Sequence, residues 1–189
     1  MTVKLIAGLA GVGLFILIVI LIYNKLVRLR YVVRNAWSDI DVHLKKRYEL
    51  VPNLVEAVKG YASHESETFN RVSQLRSAAM RSNSPGEKAK ADNMLMETLR
   101  GLLAVVEAYP QLKADKQFQE LMADMKGLED NIEHARRYYN ASVRDYNIAT
   151  EVFPTNIVAS AFSFTPEEFF ELDDETLERK PVRVSFKQT

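Results

Sequence analysis

Cysteine is missing from all 189 residues. Its absence removes disulfides, thiolate nucleophiles and cysteine-based metal sites, and is neutral about compartment. A charge of one sign is missing too. The 25 basic residues balance the 25 acidic ones, so no global field draws the chain to nucleic acid. Glycine and proline are scarce, at seven and six, which predicts long uninterrupted elements. Catalytic signatures are also lacking. No G-x-S-x-G or S-x-x-K marks an acyl-transfer nucleophile, and no G-x-x-x-x-G-K-[ST] or G-x-G-x-x-G marks a phosphate cradle. His64-Glu65-Ser66-Glu67-Thr68 opens like the zinc-protease H-E-x-x-H but ends in Thr, and no E-x-x-H provides a di-iron bundle signature. His43, His64 and His134 are far apart along the chain. No metal and no cofactor is expected.

What is present begins with one apolar run. Leu5 to Ile22, LIAGLAGVGLFILIVILI, is 18 residues without a charge, and 13 of them are Leu, Ile, Val or Phe. As a helix it reaches roughly 27 Å, close to the hydrocarbon thickness of a bilayer. Its small residues precede the apolar stretch instead of following it, so the pattern predicts an uncleaved anchor over a cleaved signal peptide. Lys4 lies before the run, while Lys25, Arg28, Arg30 and Arg34 lie after it. The positive-inside rule then puts the N-terminus outside and the remainder in the cytoplasm. The same four residues are candidate contacts for anionic lipid headgroups, beside the plainer reading as stop-transfer charges. Ala7 and Gly11 form a small-xxx-small pair that permits close helix approach, so a homo-oligomer is expected.

Beyond the anchor the periodicity is helical. Val33, Trp37, Ile40 and Leu44 recur at spacings of 4, 3 and 4, which carries the first helix to about Leu50 with Trp37 in the core. Pro52 disfavours helical geometry at Val51 and can itself start a helix, which predicts a break there and a second helix to about Arg81. SNSPG, Ser82 to Gly86, reads as a loop, and a third helix follows from Glu87 to Ala108. Asp115 is the expected N-cap of a fourth and longest helix, ending before Pro154. Phe118, Leu121, Met125, Leu128, Ile132, Ala135, Tyr139 and Tyr146 give that helix coiled-coil heptad spacing, with Ser142 in one seam position. Glu56, Glu65 and Glu107 are candidates for buried carboxylates, with Arg136, Arg137 or Arg144 as structural partners. The C-terminal residues differ. Thr165-Pro166-Glu167-Glu168 has the signature of a helix start, and Val182, Val184 and Phe186 alternate as in a strand. The organisation is thus an anchor over residues 1–24, a helical region over 25–159 and a Phe-rich tail over 160–189.

One stretch, RYYNASVRDYN, repeats R-x-Y-N at a spacing of seven: Arg137, Tyr139, Asn140, then Arg144, Tyr146, Asn147. Two turns separate the copies, so they share a face. That face is a packing seam, with the tyrosines as knobs, or a contact surface for another helix.

Three segments carry a family resemblance. Tyr23 to Glu65, Leu102 to Leu121 and Ala135 to Ala159, with AWSDIDV, NLVE, EAYP and RRYYN, resemble the LemA family in the family's order. The resemblance implies an all-α protein: an antiparallel bundle of long helices on a single-pass anchor in the bacterial cytoplasmic (inner) membrane. It implies no established catalytic activity and an association with membrane-stress proteins. The expected function is a non-enzymatic, membrane-anchored scaffold or adaptor, with an unidentified membrane or cytoplasmic protein as partner. A hydrolase or processing factor using His64, Glu65 and nearby carboxylates is the alternative.

Overall fold

The computed structural model describes residues 2–62 and 64–171. The strand pattern at Val182, Val184 and Phe186 lies outside the described residues. Among the described residues six helices follow in order: α1 Thr2–Lys59, α2 Ser66–Arg81, α3 Pro85–Val106, α4 Pro110–Ala114, α5 Lys116–Glu151 and α6 Thr155–Ala161. No strand occurs among the described residues. The described chain divides into two compact units, residues 2–44 with 129–169, and residues 45–128 with 170 and 171.

In the first unit, α1 has two characters. Its N-terminal part is apolar all round, and Ile6, Leu9, Phe15 and Leu21 are each 60% or more exposed. In water every such side chain forgoes roughly 1.5–3 kcal/mol of burial, which makes this sleeve a candidate membrane span. From Leu26 onward the helix is amphipathic: Leu26, Val33, Ala36, Ile40 and Leu44 are buried. The second half of α5 answers with Ile132, Tyr139, Val143, Tyr146 and Ala149, all buried. The two helices run antiparallel. Trp37 on α1 packs on Tyr139, with ring centroids 5.6 Å apart, whereas Tyr23, earlier on α1, packs on Phe162 and Phe164, later in the chain. Trp37 is half-buried at this seam.

In the second unit, the end of α1 packs with α2 and α3. Val51, Leu54 and Val58 of α1, Phe69, Val72, Leu75 and Ala79 of α2, and Leu95, Leu99, Leu102 and Val106 of α3 form its apolar core. Ser84 caps α3, accepting from the Glu87 N–H at 3.2 Å with Pro85 in the first turn, so the helix begins inside the expected loop. Asp115 caps α5 as expected, accepting from the Phe118 N–H at 2.9 Å. The short α4 and α6 were not legible as helices. The carboxylates expected to be buried are not. Glu56 and Glu107 are exposed beside Lys59 and Lys113, and half-buried Glu65 accepts from the Thr68 hydroxyl at 3.5 Å. Among the described residues the buried carboxylate is Asp92, 2% exposed, which pairs with Arg47, 1% exposed, and accepts from the Tyr48 hydroxyl at 3.0 Å.

The expected break at Pro52 is also absent, because α1 runs through it to Lys59. A proline inside a helix withholds the N–H that would bond the carbonyl four residues back. Here that carbonyl belongs to Tyr48, and Arg76 Nε on α2 donates to it at 2.6 Å. A charged donor from a neighbouring helix replaces the lost one. The helix ends instead at Lys59, just before Gly60.

This compensation predicts a coupled pair. Arg76→Ala is expected to cost about 1.5–3 kcal/mol, the range for a hydrogen bond from a charged group. With Pro52→Ala the restored N–H serves Tyr48, and the cost of removing Arg76 falls by about 1 kcal/mol or more. Chemical denaturation of the full chain in detergent, across all four combinations, measures this. Additive costs would show that Arg76 does not stand in for the proline's missing donor.

Candidate interaction surface

The R-x-Y-N repeat lies on the second half of α5, within the first unit. The two tyrosines are each 1% exposed, as seam knobs would be. The asparagines flank the seam and are half-buried. Asn147 grips the main chain of Glu167 from both sides. Its Nδ2 donates to the Glu167 carbonyl at 3.0 Å, and its Oδ1 accepts from the Glu167 N–H at 2.9 Å. Two turns earlier, the Tyr139 hydroxyl donates to the Glu168 carbonyl at 2.7 Å. An amide that donates and accepts along one residue imitates a neighbouring strand. The repeat therefore fastens a strap, residues 164–168, onto the seam.

The strap replaces the helix expected at Thr165, since residues 164–171 are irregular. The N–H and C=O that Glu167 would give to a helix are taken by Asn147. The chain reaches the strap through the end of α6. There Ser163 adopts φ 57°, the Ser163 N–H meets the Ser160 carbonyl, and the Phe164 N–H meets the Ala159 carbonyl at 2.9 Å. This is a Schellman closure with serine in the left-handed position that usually falls to glycine. It turns Phe164 inward, 7% exposed, against Tyr23 and under the Arg30 guanidinium, 4.9 Å from the ring centre.

The arginines of the repeat point the other way. Arg137 is exposed and pairs with Glu133 one turn back, holding that carboxyl below the usual range chiefly through their hydrogen bond. Arg144 is exposed and lies 3.6 Å from the Asp145 carboxylate. Neither reaches a carboxylate on another helix through these pairs, contrary to expectation. Tyr138, between the two faces, is 57% exposed. The six residues thus divide: Tyr139, Tyr146 and Asn147 serve the strap and seam, Asn140 is half-buried beside them, and Arg137 and Arg144 face solvent.

The basic residues after the anchor divide as well. Lys25, Arg28 and Arg34 are exposed. Arg30 is half-buried and occupied by Phe164, so it is turned inward instead of standing with the other three. In the second unit, His64 and Glu65 border an open polar cleft with Ser66, Thr68 and Arg71. Among the described residues no group of three or more His, Cys, Asp or Glu is placed to hold a metal ion.

Comparison with known proteins adds a lineage. The model of the LemA family matches residues 36–186. The protein named Protein LemA from Metamycoplasma hominis is 28% identical over 177 residues, covering 92% of this chain and 79% of its own. Magnetosome protein MamQ 2 from Paramagnetospirillum magneticum is 24% identical over 193 residues, 88% of this chain and 71% of its own. Magnetosome protein MamQ from Magnetospirillum gryphiswaldense is 24% identical over 182 residues, 82% and 67% respectively.

Two predictions follow from the strap. Asn147→Ala removes two hydrogen bonds worth about 1 kcal/mol each, so amide exchange at Glu167 should quicken by roughly tenfold or more while the core of α5 stays protected. Unchanged exchange at Glu167 would mean that the grip contributes nothing. The second concerns alkali. Burial, then the Glu167 and Glu168 carboxylates, push the Tyr139 phenol well above its ordinary value of 10.0, so the fold favours the neutral form. Tyr146 moves the same way, through burial and Glu167, against the pull of Arg30 and Arg34. The resulting stability is fully present below about pH 10, the unfolded value, and is lost as pH rises toward the folded one. Denaturation midpoints should fall above pH 10, less steeply in Tyr139→Phe. Equal slopes would remove Tyr139 as a cause.

Proposed function

The chain belongs to the LemA family, and on that premise we propose that it is a membrane-anchored helical scaffold or adaptor. The observation that carries the proposal is α1 itself. Within one compact unit, the exposed apolar sleeve and the amphipathic stripe that packs on α5 are a single uninterrupted helix. A position fixed in the bilayer is thereby transmitted to the bundle without a hinge. The apolar sleeve supports a single pass, and Lys25, Arg28 and Arg34 after it support a cytoplasmic helical region with the N-terminus outside. The bacterial cytoplasmic membrane is the proposed location. Lys25 and Arg28 stand about 5 and 9 Å beyond Ile22 along the helix, within reach of anionic headgroups, while Arg34 is about 18 Å on.

A non-enzymatic role is supported by how the polar groups described above are used. Arg47, Tyr48 and Asp92 hold one another, Arg76 completes α1, and Asn147 and Tyr139 hold main chain. Each joins segment to segment. The contact surface left for a partner is the outer stripe of α5 with Arg137, Tyr138 and Arg144. Gly11 has open space around its Cα, which suits approach of a second anchor.

A photo-reactive side chain at position 138, activated in native membranes, is expected to capture a second copy or another protein, identified by mass spectrometry. Arg144→Glu should abolish that capture. A chain that captures nothing and runs as a monomer in mild detergent would overturn the scaffold reading. So would a purified activity lost on a single substitution.

A further inference from the structure

The first unit exposes a second group of large apolar side chains, remote in sequence from the anchor. Val152 is 47% exposed, Phe153 79%, Ile157 61% and Phe162 52%. Val152 and Phe153 occupy the corner between α5 and α6, Ile157 lies on α6, and Phe162 follows its end. Opposite Ile157, α6 already buries Val158 and Ala159, so its inward face is satisfied and the outward one is surplus. Large apolar side chains left exposed together around one short helix of a folded chain point to a contact.

The geometry names what covers it. Tyr139 lies beside Trp37, and α1 and α5 run antiparallel. From Trp37 back to Tyr23 is 14 residues, about 21 Å of helix. From Tyr139 to the end of α5 at Glu151 is 12 residues, about 18 Å in the same direction. The α5 terminus therefore comes to the level of Tyr23, the residue after the apolar run. The end of α6 returns there too, because the Phe162 ring lies 4.9 Å from the Tyr23 ring. Both ends of α6 are thus held where α1 leaves the membrane. Aromatic and aliphatic side chains at that depth occupy the interfacial layer, with basic residues beside them. Lys25 and Arg28, both exposed, stand at this level on α1. Glu151, also exposed, is the one acidic residue between positions 151 and 163.

We propose that the α5–α6 corner is a second membrane contact, with Phe153, Ile157 and Phe162 resting in the interfacial layer of the bilayer that α1 spans. The contact rests on the membrane reading of α1 and adds to it. A single helix leaves the bundle free to swivel about its axis, whereas a second contact at a fixed azimuth fixes which face of the bundle looks at the membrane. Tyr23 and Phe162 join the two contacts into one platform.

The absence of cysteine permits a direct test on the full chain in liposomes of mixed neutral and anionic phospholipid. Single substitutions Phe153→Cys, Ile157→Cys and Phe15→Cys each receive a nitroxide, and collision with oxygen, enriched in lipid, is compared with collision with a water-soluble nickel chelate. Far-ultraviolet dichroism confirms that each labelled chain keeps its helices. Labels at 153 and 157 are expected to favour oxygen, at a depth shallower than the label at 15. If nickel dominates at both positions, the corner sits in water and the proposal fails. If neither reagent reaches them, protein covers the corner, a second copy or another chain, and the lipid assignment fails. If the label at 15 itself meets nickel freely, the anchor reading fails and this contact with it.

Discussion

Pro52 withholds an N–H from the Tyr48 carbonyl, and Arg76 supplies the replacement from another helix. The second unit depends on that exchange. If α1 ended at Leu50, Val51, Leu54 and Val58 would lose the face that meets α2 and α3, and each is now essentially without solvent contact. A proline inside a helix costs about 3 kcal/mol. Part of that cost is the orphaned carbonyl, and a guanidinium offsets this part at one defined point. The same hydrogen bond sets how far α2 lies along α1, because Arg76 has one carbonyl to find.

Next to it sits the buried pair of Arg47 and Asp92, with the Tyr48 hydroxyl on the second carboxylate oxygen. Removing two charges from water is expensive, and their attraction in the interior restores only part of the loss. Such a pair contributes little net stability against an apolar replacement. It does make wrong arrangements costly, since a one-turn slip of α3 along α1 would strand two charges in an apolar core. Residues 47, 48 and 52 of one helix thus specify the position of two others. The apolar residues around them supply the cohesion, and the polar ones the register.

Much of this architecture was legible in the sequence. The apolar run, the 3–4 spacing of Val33, Ile40 and Leu44, the cap at Asp115 and the tyrosine knobs of α5 all report local physics: burial period and main-chain satisfaction. What failed to show was decided by residues distant in sequence. Pro52 read as a break because its compensating donor lies 24 positions away. Asp92 sits in AKADNML, where nothing local marks it for burial until Arg47 is placed against it. Thr-Pro-Glu-Glu has the start signal of a helix, yet Asn147 and Tyr139 claim the main chain there first. Arg30 looked like one more basic residue after the anchor, and nothing nearby in sequence announces Phe164 beneath it. The repeat of R-x-Y-N was visible as a repeat. Its division into an inward fastening and an outward charged stripe needed the strap in place.

The strap is held by main-chain atoms that every residue except proline possesses. Asn147 and Tyr139 address an N–H and two carbonyls, and no side chain of residues 167 and 168 takes part. Substitution at those two positions, proline at 167 apart, therefore leaves the fastening intact, provided the backbone stays extended. A change of side chain at 167 or 168 is thus expected to spare the strap, and a change at Asn147 or Tyr139 to loosen it. A lineage could recolour this strip of surface from acidic to basic or neutral and keep the same buckle, so that the outer face of the strap diversifies while its attachment does not.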